Sequence, residues 1–127
     1  MTAQARIRIL SVDDHPVLRD GIAAIINFQS DLDLVSQAAS GAEAIRQYRQ
    51  YQPDVTLMDL RLPDMSGIDA IIAIRREFPD ARIIILTTFE GDIEIQRAVE
   101  AGARGYLLKN MPPKELVQAI RRVHAGG

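Results

Sequence analysis

The sequence predicts an α/β fold, a five-stranded parallel sheet with helices on both faces, and three observations lead to it. Five short apolar runs each give way to a segment whose apolar residues recur at helical spacing, the alternation of a βαβ architecture. One of these runs, Ile83-Ile84-Ile85-Leu86, is continuously apolar, as a strand covered on both faces must be. Prolines, glycines and aspartates gather at the junctions, and right-handed crossovers then distribute the helices over the two faces.

Ile7, Ile9, Leu10 and Val12 make the first strand, broken by Asp13-Asp14-His15-Pro16. Pro16 suits the first turn of a helix, where its missing amide costs nothing, and Val17, Leu18, Ile22, Ile25 and Ile26 carry that helix to Phe28. Asp31 to Asp33 reads as a turn, followed by a weaker second strand through Leu34, Val35 and Ala38. Ser40 with Glu43 is a capping box opening a helix through Ala44, Ile45 and Tyr48 to Tyr51, and Pro53 and Asp54 end it. The third strand is Val55 to Asp59; Pro63, Asp64, Ser66 and Gly67 make the next segment a loop, so Asp59 stands at a strand's carboxyl end. Ser66 with Asp69 caps a third helix through Ile68, Ile71, Ile72 and Ile74 to about Phe78, stopped by Pro79-Asp80. Arg82 to Thr87 is the fourth strand. A fourth helix runs from about Asp92, with Ile95, Ala98 and Val99 inward, to a glycine stop at Gly102. Gly105 to Lys109 is the fifth strand, and Met111-Pro112-Pro113 leads into a last helix that buries Leu116, Val117, Ile120 and Val123.

At 127 residues this is one domain, and 47% hydrophobic with 25% charged residues is ordinary globular composition. A net charge of -2 offers no basic face for neutralising nucleic-acid phosphates. With no cysteine, disulfides, thiolate metal sites and thiol nucleophiles are excluded. The apolar clusters Ile71 to Ile74 and Ile83 to Leu86 are too short to span a bilayer, and Met1 to Arg6 has no apolar signal core, so the expectation is a soluble, cytoplasmic chain with no membrane partner.

The carboxyl ends of parallel strands form the crevice in which open α/β sheets bind ligands. Asp13 and Asp14 follow the first strand, Asp59 ends the third, Thr87 and Thr88 the fourth, and Lys109 the fifth. Carboxylates gathered there repel one another, and a hard divalent cation such as magnesium, which favours oxygen ligands, removes the conflict. A cation, a hydroxyl and a lysine around a nucleophilic carboxylate are what phosphoryl transfer requires, and the expected product is an aspartyl phosphate on Asp59.

The ordered set Asp13-Asp14, Met58-Asp59-Leu60-Arg61-Leu62-Pro63-Asp64-Met65-Ser66-Gly67, Leu86-Thr87-Thr88-Phe89 and Gly102-Ala103-Arg104-Gly105-Tyr106-Leu107-Leu108-Lys109 resembles the receiver domain of bacterial two-component response regulators across essentially the whole chain. The Leu-Thr-Thr-Phe and Gly-Tyr-Leu-Leu-Lys-Asn stretches are most similar to the NarL/FixJ branch, whose receivers precede a LuxR-type helix-turn-helix domain. The resemblance implies the flavodoxin-like receiver fold with strand order 2-1-3-4-5. It implies Asp59 as phosphoacceptor and magnesium held by Asp13, Asp14, Asp59 and the backbone carbonyl of Arg61. Thr87 would be the switch hydroxyl on a phosphoryl oxygen, Lys109 the cation paired with the phosphoryl group, and Tyr106 the aromatic that changes rotamer when Thr87 moves. It further implies residues 1–127 as the receiver part of a longer transcription regulator, a sensor histidine kinase as partner, homodimerisation on phosphorylation, and DNA contact only through a C-terminal output domain; a stand-alone receiver is the alternative. Such a chain catalyses its own phosphorylation and dephosphorylation and is not an enzyme acting on an external substrate.

Two departures from the family pattern stand out. Asn110 separates Lys109 from the later Pro112 and Pro113, where many receivers place proline directly after the lysine, and Thr88 is bulkier than the residue often found there. A magnesium-dependent phosphohydrolase with an aspartyl nucleophile would want a second acid two residues on, where Arg61 stands, and a nucleotide- or flavin-binding module would want a Gly-rich or Ser/Thr-rich phosphate loop after the first strand, where Asp13-Asp14 stands. His15 beside the acidic pair offers a metal or phospho-histidine role, against which the reading as a solvent-facing residue at a helix start is favoured; His124 carries no chemistry, and Tyr106 taken alone reads as a core residue.

Overall fold

A computed structural model of the chain describes residues 6–88 and 92–126, without the side chains of residues 92 and 93. Five strands and five helices alternate: β1 (Ile7–Val12), α1 (Pro16–Asn27), β2 (Leu32–Ala38), α2 (Gly41–Tyr51), β3 (Val55–Asp59), α3 (Gly67–Glu77), β4 (Ile83–Thr87), α4 (Asp92–Glu100), β5 (Gly105–Leu108) and α5 (Pro113–His124). All pairings are parallel and the order is β2-β1-β3-β4-β5. Phe89, named with the fourth-strand motif, lies outside the described residues, and among those described no peptide is cis.

The alternation of side chains along the strands divides the core in two. Ile7 and Ile9 of β1, Val55 and Leu57 of β3, and Ile84 and Leu86 of β4 pack with Ile22 and Ile26 of α1 and Leu116, Ile120 and Val123 of α5. Their strand neighbours Leu10, Val12, Met58, Ile83 and Ile85 face the other way, onto Ala44 and Tyr48 of α2, Ala70, Ile71 and Ile74 of α3, and Ala98 of α4. Every residue of β3 and β4 is therefore buried, which is why these two strands read as unbroken apolar runs with polar residues only at special places.

The helix ends follow the sequence signals. Ser40 Oγ accepts the Glu43 amide at 3.1 Å while Glu43 Oε1 accepts the Ala39 amide at 2.7 Å, so the capping box reaches back one residue further than the ideal pattern. Ser66 Oγ accepts the Ile68 amide at 3.1 Å. At the end of α4 the Gly102 amide donates to the Val99 carbonyl and the Ala103 amide to the Ala98 carbonyl, a Schellman closure in which Gly102 takes φ of 111°.

Three expectations need correction. Asp31 to Asp33 is not all turn: β2 begins at Leu32, whose side chain is buried, because Leu32 and Asp33 pair with Ile7 and Arg8 of β1. Val99 is exposed rather than inward, as is Ile72, since each lies beside a helical stripe already filled by Ala98 or by Ile71 and Ile74. Tyr106 is 51% exposed and not a core residue, because β5 is an edge strand.

Candidate functional site

The sheet register assembles the site. Val12 lies opposite Met58, so the next residues, Asp13 and Asp59, emerge side by side at the carboxyl ends of β1 and β3. On the far side of β3, Asp59 lies opposite Leu86, and Thr87 opposite Leu108 brings Lys109 to the same edge, where its amide donates to the Thr87 carbonyl at 2.9 Å. Strand neighbours are about 4.8 Å apart, so Lys109 must lean its long stem across β4 to meet the acids. It does so: Nζ donates to Asp59 Oδ2 at 2.8 Å and lies 3.2 Å from Asp13 Oδ2.

Asp13 is 0% exposed and Asp59 2%, yet both are ionisable groups in a nest of polar atoms. Asp59 Oδ1 accepts the amide of Arg61, the first turn of the loop leaving β3, at 3.2 Å. Asp13 Oδ1 accepts the backbone amide of His15 at 2.8 Å and lies 2.9 Å from its ring Nδ1, and the Asp13 main-chain carbonyl accepts Arg19 Nη1 at 2.8 Å. Asp14 is the partly exposed acid of the group, with Oδ1 3.2 Å from His15 Nδ1.

Burial pushes the Asp59 carboxyl above an ordinary aspartate's range, assisted by the charge of Asp13 and opposed by the Lys109 hydrogen bond and the Arg61 amide. For Lys109, burial works against the charge, but the hydrogen bond and the charges of Asp59 and Asp13 outweigh it and hold the ammonium above its usual value. The same contact raises the pKa of the ammonium and lowers that of the carboxyl, but for Asp59 burial outweighs it. One ammonium does not compensate several buried and half-buried carboxylates.

The shortage shows in the hydrogen bonds as well. Asp13 Oδ2 and Asp14 Oδ1 are buried atoms with no aligned hydrogen bond, although Lys109 and His15 lie within ion-pair distance of them. One donor atom each from Asp13, Asp14, His15 and Asp59 can be chosen so that all lie within 4.8 Å of one another. Hard carboxylate oxygens, clustered and short of donors, fit a small divalent cation of the magnesium type.

Asp13, Asp14, Asp59 and Lys109, predicted to converge, do converge. Thr87 is buried at the tip of β4, one residue beyond the one facing Asp59, and Tyr106 lies opposite Ile85, further down the sheet, with an exposed ring. Two more residues take part, His15 against the favoured solvent-facing reading of it and Arg19 without anticipation. His15 is 64% exposed, as expected of a helix-start residue, but its Nδ1 faces the acids rather than water. Arg19 sits one turn into α1, where a basic residue can return to the end of β1; its spacing of six from Asp13 is the only signal the sequence held. A separate groove between α1 and α5, lined in part by Ile25, Phe28, Val117 and Arg121, takes in none of these residues.

A doubly wound five-stranded sheet carrying paired acids, a buried aspartate and a lysine at its strand tips is the receiver class of signalling domain. The chain belongs to the response regulator receiver domain family, which it matches over residues 9–121. Its relatives place it in the NarL/FixJ branch. It is 42% identical over 121 residues to the oxygen regulatory protein NreC of Staphylococcus carnosus, covering 94% of this chain and 56% of that one. It is 39% identical over 120 residues to the response regulator protein VraR of Staphylococcus aureus, covering 94% and 57%. Among solved structures, a LuxR-family two-component response regulator from Aurantimonas matches with a TM-score of 0.91 at 43% identity, over 96% of this chain and 87% of that one. The signal receiver domain of the putative response regulator NarL from Mycobacterium tuberculosis matches with a TM-score of 0.94 at 28% identity, over 98% and 100%. The chain spans a little over half the length of the curated relatives it matches.

Proposed function

We propose that the chain is a phosphorylation-dependent switch in which Asp59 accepts a phosphoryl group from a sensor histidine kinase. The observation that carries this reading is the single contact set at Asp59: a buried carboxylate at a strand tip, bonded to Lys109 at 2.8 Å and beside an Asp13 oxygen that lacks an aligned donor. An Asp59 carboxylate oxygen attacks phosphorus in line, the bond from phosphorus to the donor's imidazole nitrogen breaks, and its electron pair leaves with that nitrogen. The product is an acyl phosphate, which water later cleaves to regenerate the acid.

Asp13, Asp14, Asp59 and the Arg61 carbonyl would hold magnesium, which when bound would neutralise charge on the carboxylates and on the phosphoryl oxygens. Lys109 moves its hydrogen bond from the carboxylate to a phosphoryl oxygen, and the Thr87 hydroxyl binds another. Movement of Thr87 draws the Tyr106 ring inward from its exposed position on β5, and the α4-β5-α5 face changes with it. The chemistry is confined to the chain's own phosphorylation and dephosphorylation. In the cytoplasm the domain would form the N-terminal part of a longer regulator, dimerise when phosphorylated, and control transcription through a helix-turn-helix output domain that makes the DNA contacts.

Incubation with a small phosphoryl donor and magnesium tests this by intact mass. The parent gains one acid-labile phosphoryl group and Asp59→Asn gains none; equal gain in both would falsify the assignment of Asp59.

A further inference from the structure

We propose that His15 supplies a nitrogen ligand to the cation at this site, which makes the site favour manganese and similar ions over magnesium more than an all-oxygen set would. The inference rests on the reading that Asp13, Asp14 and Asp59 hold a divalent cation. It adds a ligand from a residue with no task in the phosphoryl-transfer scheme.

His15 Nδ1 lies 2.9 Å from Asp13 Oδ1, 3.2 Å from Asp14 Oδ1 and 4.0 Å from Asp59 Oδ2. A ring nitrogen carries at most one proton, which serves one acceptor well, yet two carboxylate oxygens lie within hydrogen-bond distance of Nδ1 and a third at ion-pair distance. The second observation is on the oxygens. Asp14 Oδ1, 3.2 Å from Nδ1, has no aligned hydrogen bond, and the fully buried Asp13 turns Oδ1 to the imidazole while its Oδ2, 3.2 Å from Lys109 Nζ, also lacks an aligned donor, so both acids beside the ring keep acceptor capacity. With metal-ligand bonds of about 2.1 Å, adjacent vertices of an octahedron are about 3.0 Å apart. The separations from Nδ1 to Asp13 and Asp14 have that size.

The backbone holds the ring there. The His15 amide donates to Asp13 Oδ1 at 2.8 Å, a tight turn across Asp14, and Pro16 fixes the chain direction at the start of α1. His15 thus stands at the mouth of the site, 64% exposed, with the acids behind it. Magnesium prefers oxygen and retains its waters, whereas manganese and the later first-row ions accept imidazole readily. An imidazole at the mouth therefore alters which ion is held without changing the carboxylates that hold it.

The test uses the whole chain with manganese alone, followed by magnesium in competition. Electron spin-echo modulation of bound manganese should contain the nitrogen couplings of a directly coordinated imidazole. His15→Ala and His15→Gln should lose those couplings and bind manganese at least about tenfold more weakly, the size of loss that even supporting groups of metal sites produce. Magnesium affinity should change much less, and His124→Ala should retain the couplings. Circular dichroism of the variants checks folding, which substitution of so exposed a ring leaves intact. Manganese bound without nitrogen couplings in the parent, or couplings that persist in His15→Ala, would overturn the proposal while leaving the acid site standing. Manganese that fails to bind, or that binds Asp14→Ala equally well, would remove the acid site and this proposal together.

Discussion

At the scale of residues, Asp59 is a carboxylate whose charged form the fold disfavours. Its pKa in the fold stands above the ordinary 3.8 because of burial, despite Lys109. The folded state therefore holds its proton more tightly than the unfolded chain does. The corresponding stability is full below about the ordinary value and is lost as pH rises through the folded pKa. At neutral pH, without metal, Asp59 weakens the fold, so Asp59→Asn should melt at a higher temperature than the parent, with Lys109 still paired to Asp13. That advantage should shrink as pH falls toward the range of free aspartate. A thermal-melting series across pH checks this, and a variant no more stable than the parent at neutral pH would contradict it. Asp13, Asp14, Asp59 and Lys109 were legible from residue type and position at strand ends. The inward Nδ1 of His15 was not, because a turn that closes on its own carboxylate is set by backbone geometry that composition does not reveal.

At the scale of elements, the loop that leaves β3 is held by two contacts with different physics. Gly67 begins α3 directly over the strand end: a Cβ there would come within 2.2 Å of the Asp59 carbonyl oxygen and 2.9 Å of Leu60 Cα. These are backbone atoms that cannot turn aside, so Gly67→Ala should cost about 1–3 kcal/mol or more in denaturant unfolding and should also slow phosphorylation by displacing Asp59. Unchanged stability would mean the loop can retreat. Asp64, from the same loop, caps a helix elsewhere in the chain: Oδ1 accepts the Gly41 amide and Oδ2 the Ala42 amide, at 2.8 and 2.9 Å. These bonds hold its pKa below the ordinary value, so its contribution is present above that value and lost as pH falls through the folded pKa. Asp64→Ala should lower the melting temperature at neutral pH, and the deficit should close in acid. The local caps Ser40 and Gly102 were readable because their partners are a few residues away; Asp64 was not, since its helix begins 23 residues earlier. The start of β2 was missed for the same reason, because pairing with Ile7 and Arg8 overrides local turn chemistry.

At the scale of the whole molecule, the fold class was legible because β3 and β4 are buried on both faces and the helices alternate with them, a pattern that few architectures satisfy. Strand order was not legible in the periodicity and came only with the family resemblance. The sheet brings like charges together at one edge, so a cation that binds only the folded chain must stabilise it. At one hundred times its dissociation constant, magnesium should add about 2.7 kcal/mol. Asp14→Ala, probed by the same melts with and without the ion, should lose most of that gain; an equal gain would remove Asp14 from the metal site.

The central claim is that one side-chain oxygen, on Asp59, becomes covalently bonded to phosphorus, and chemical mapping tests it most directly. Borohydride reduction of the phosphorylated chain converts an acyl phosphate to an alcohol, so peptide sequencing should find homoserine at position 59 and aspartate unchanged at positions 13, 14 and 64. Reduction at any of those three, with position 59 intact, would contradict the account.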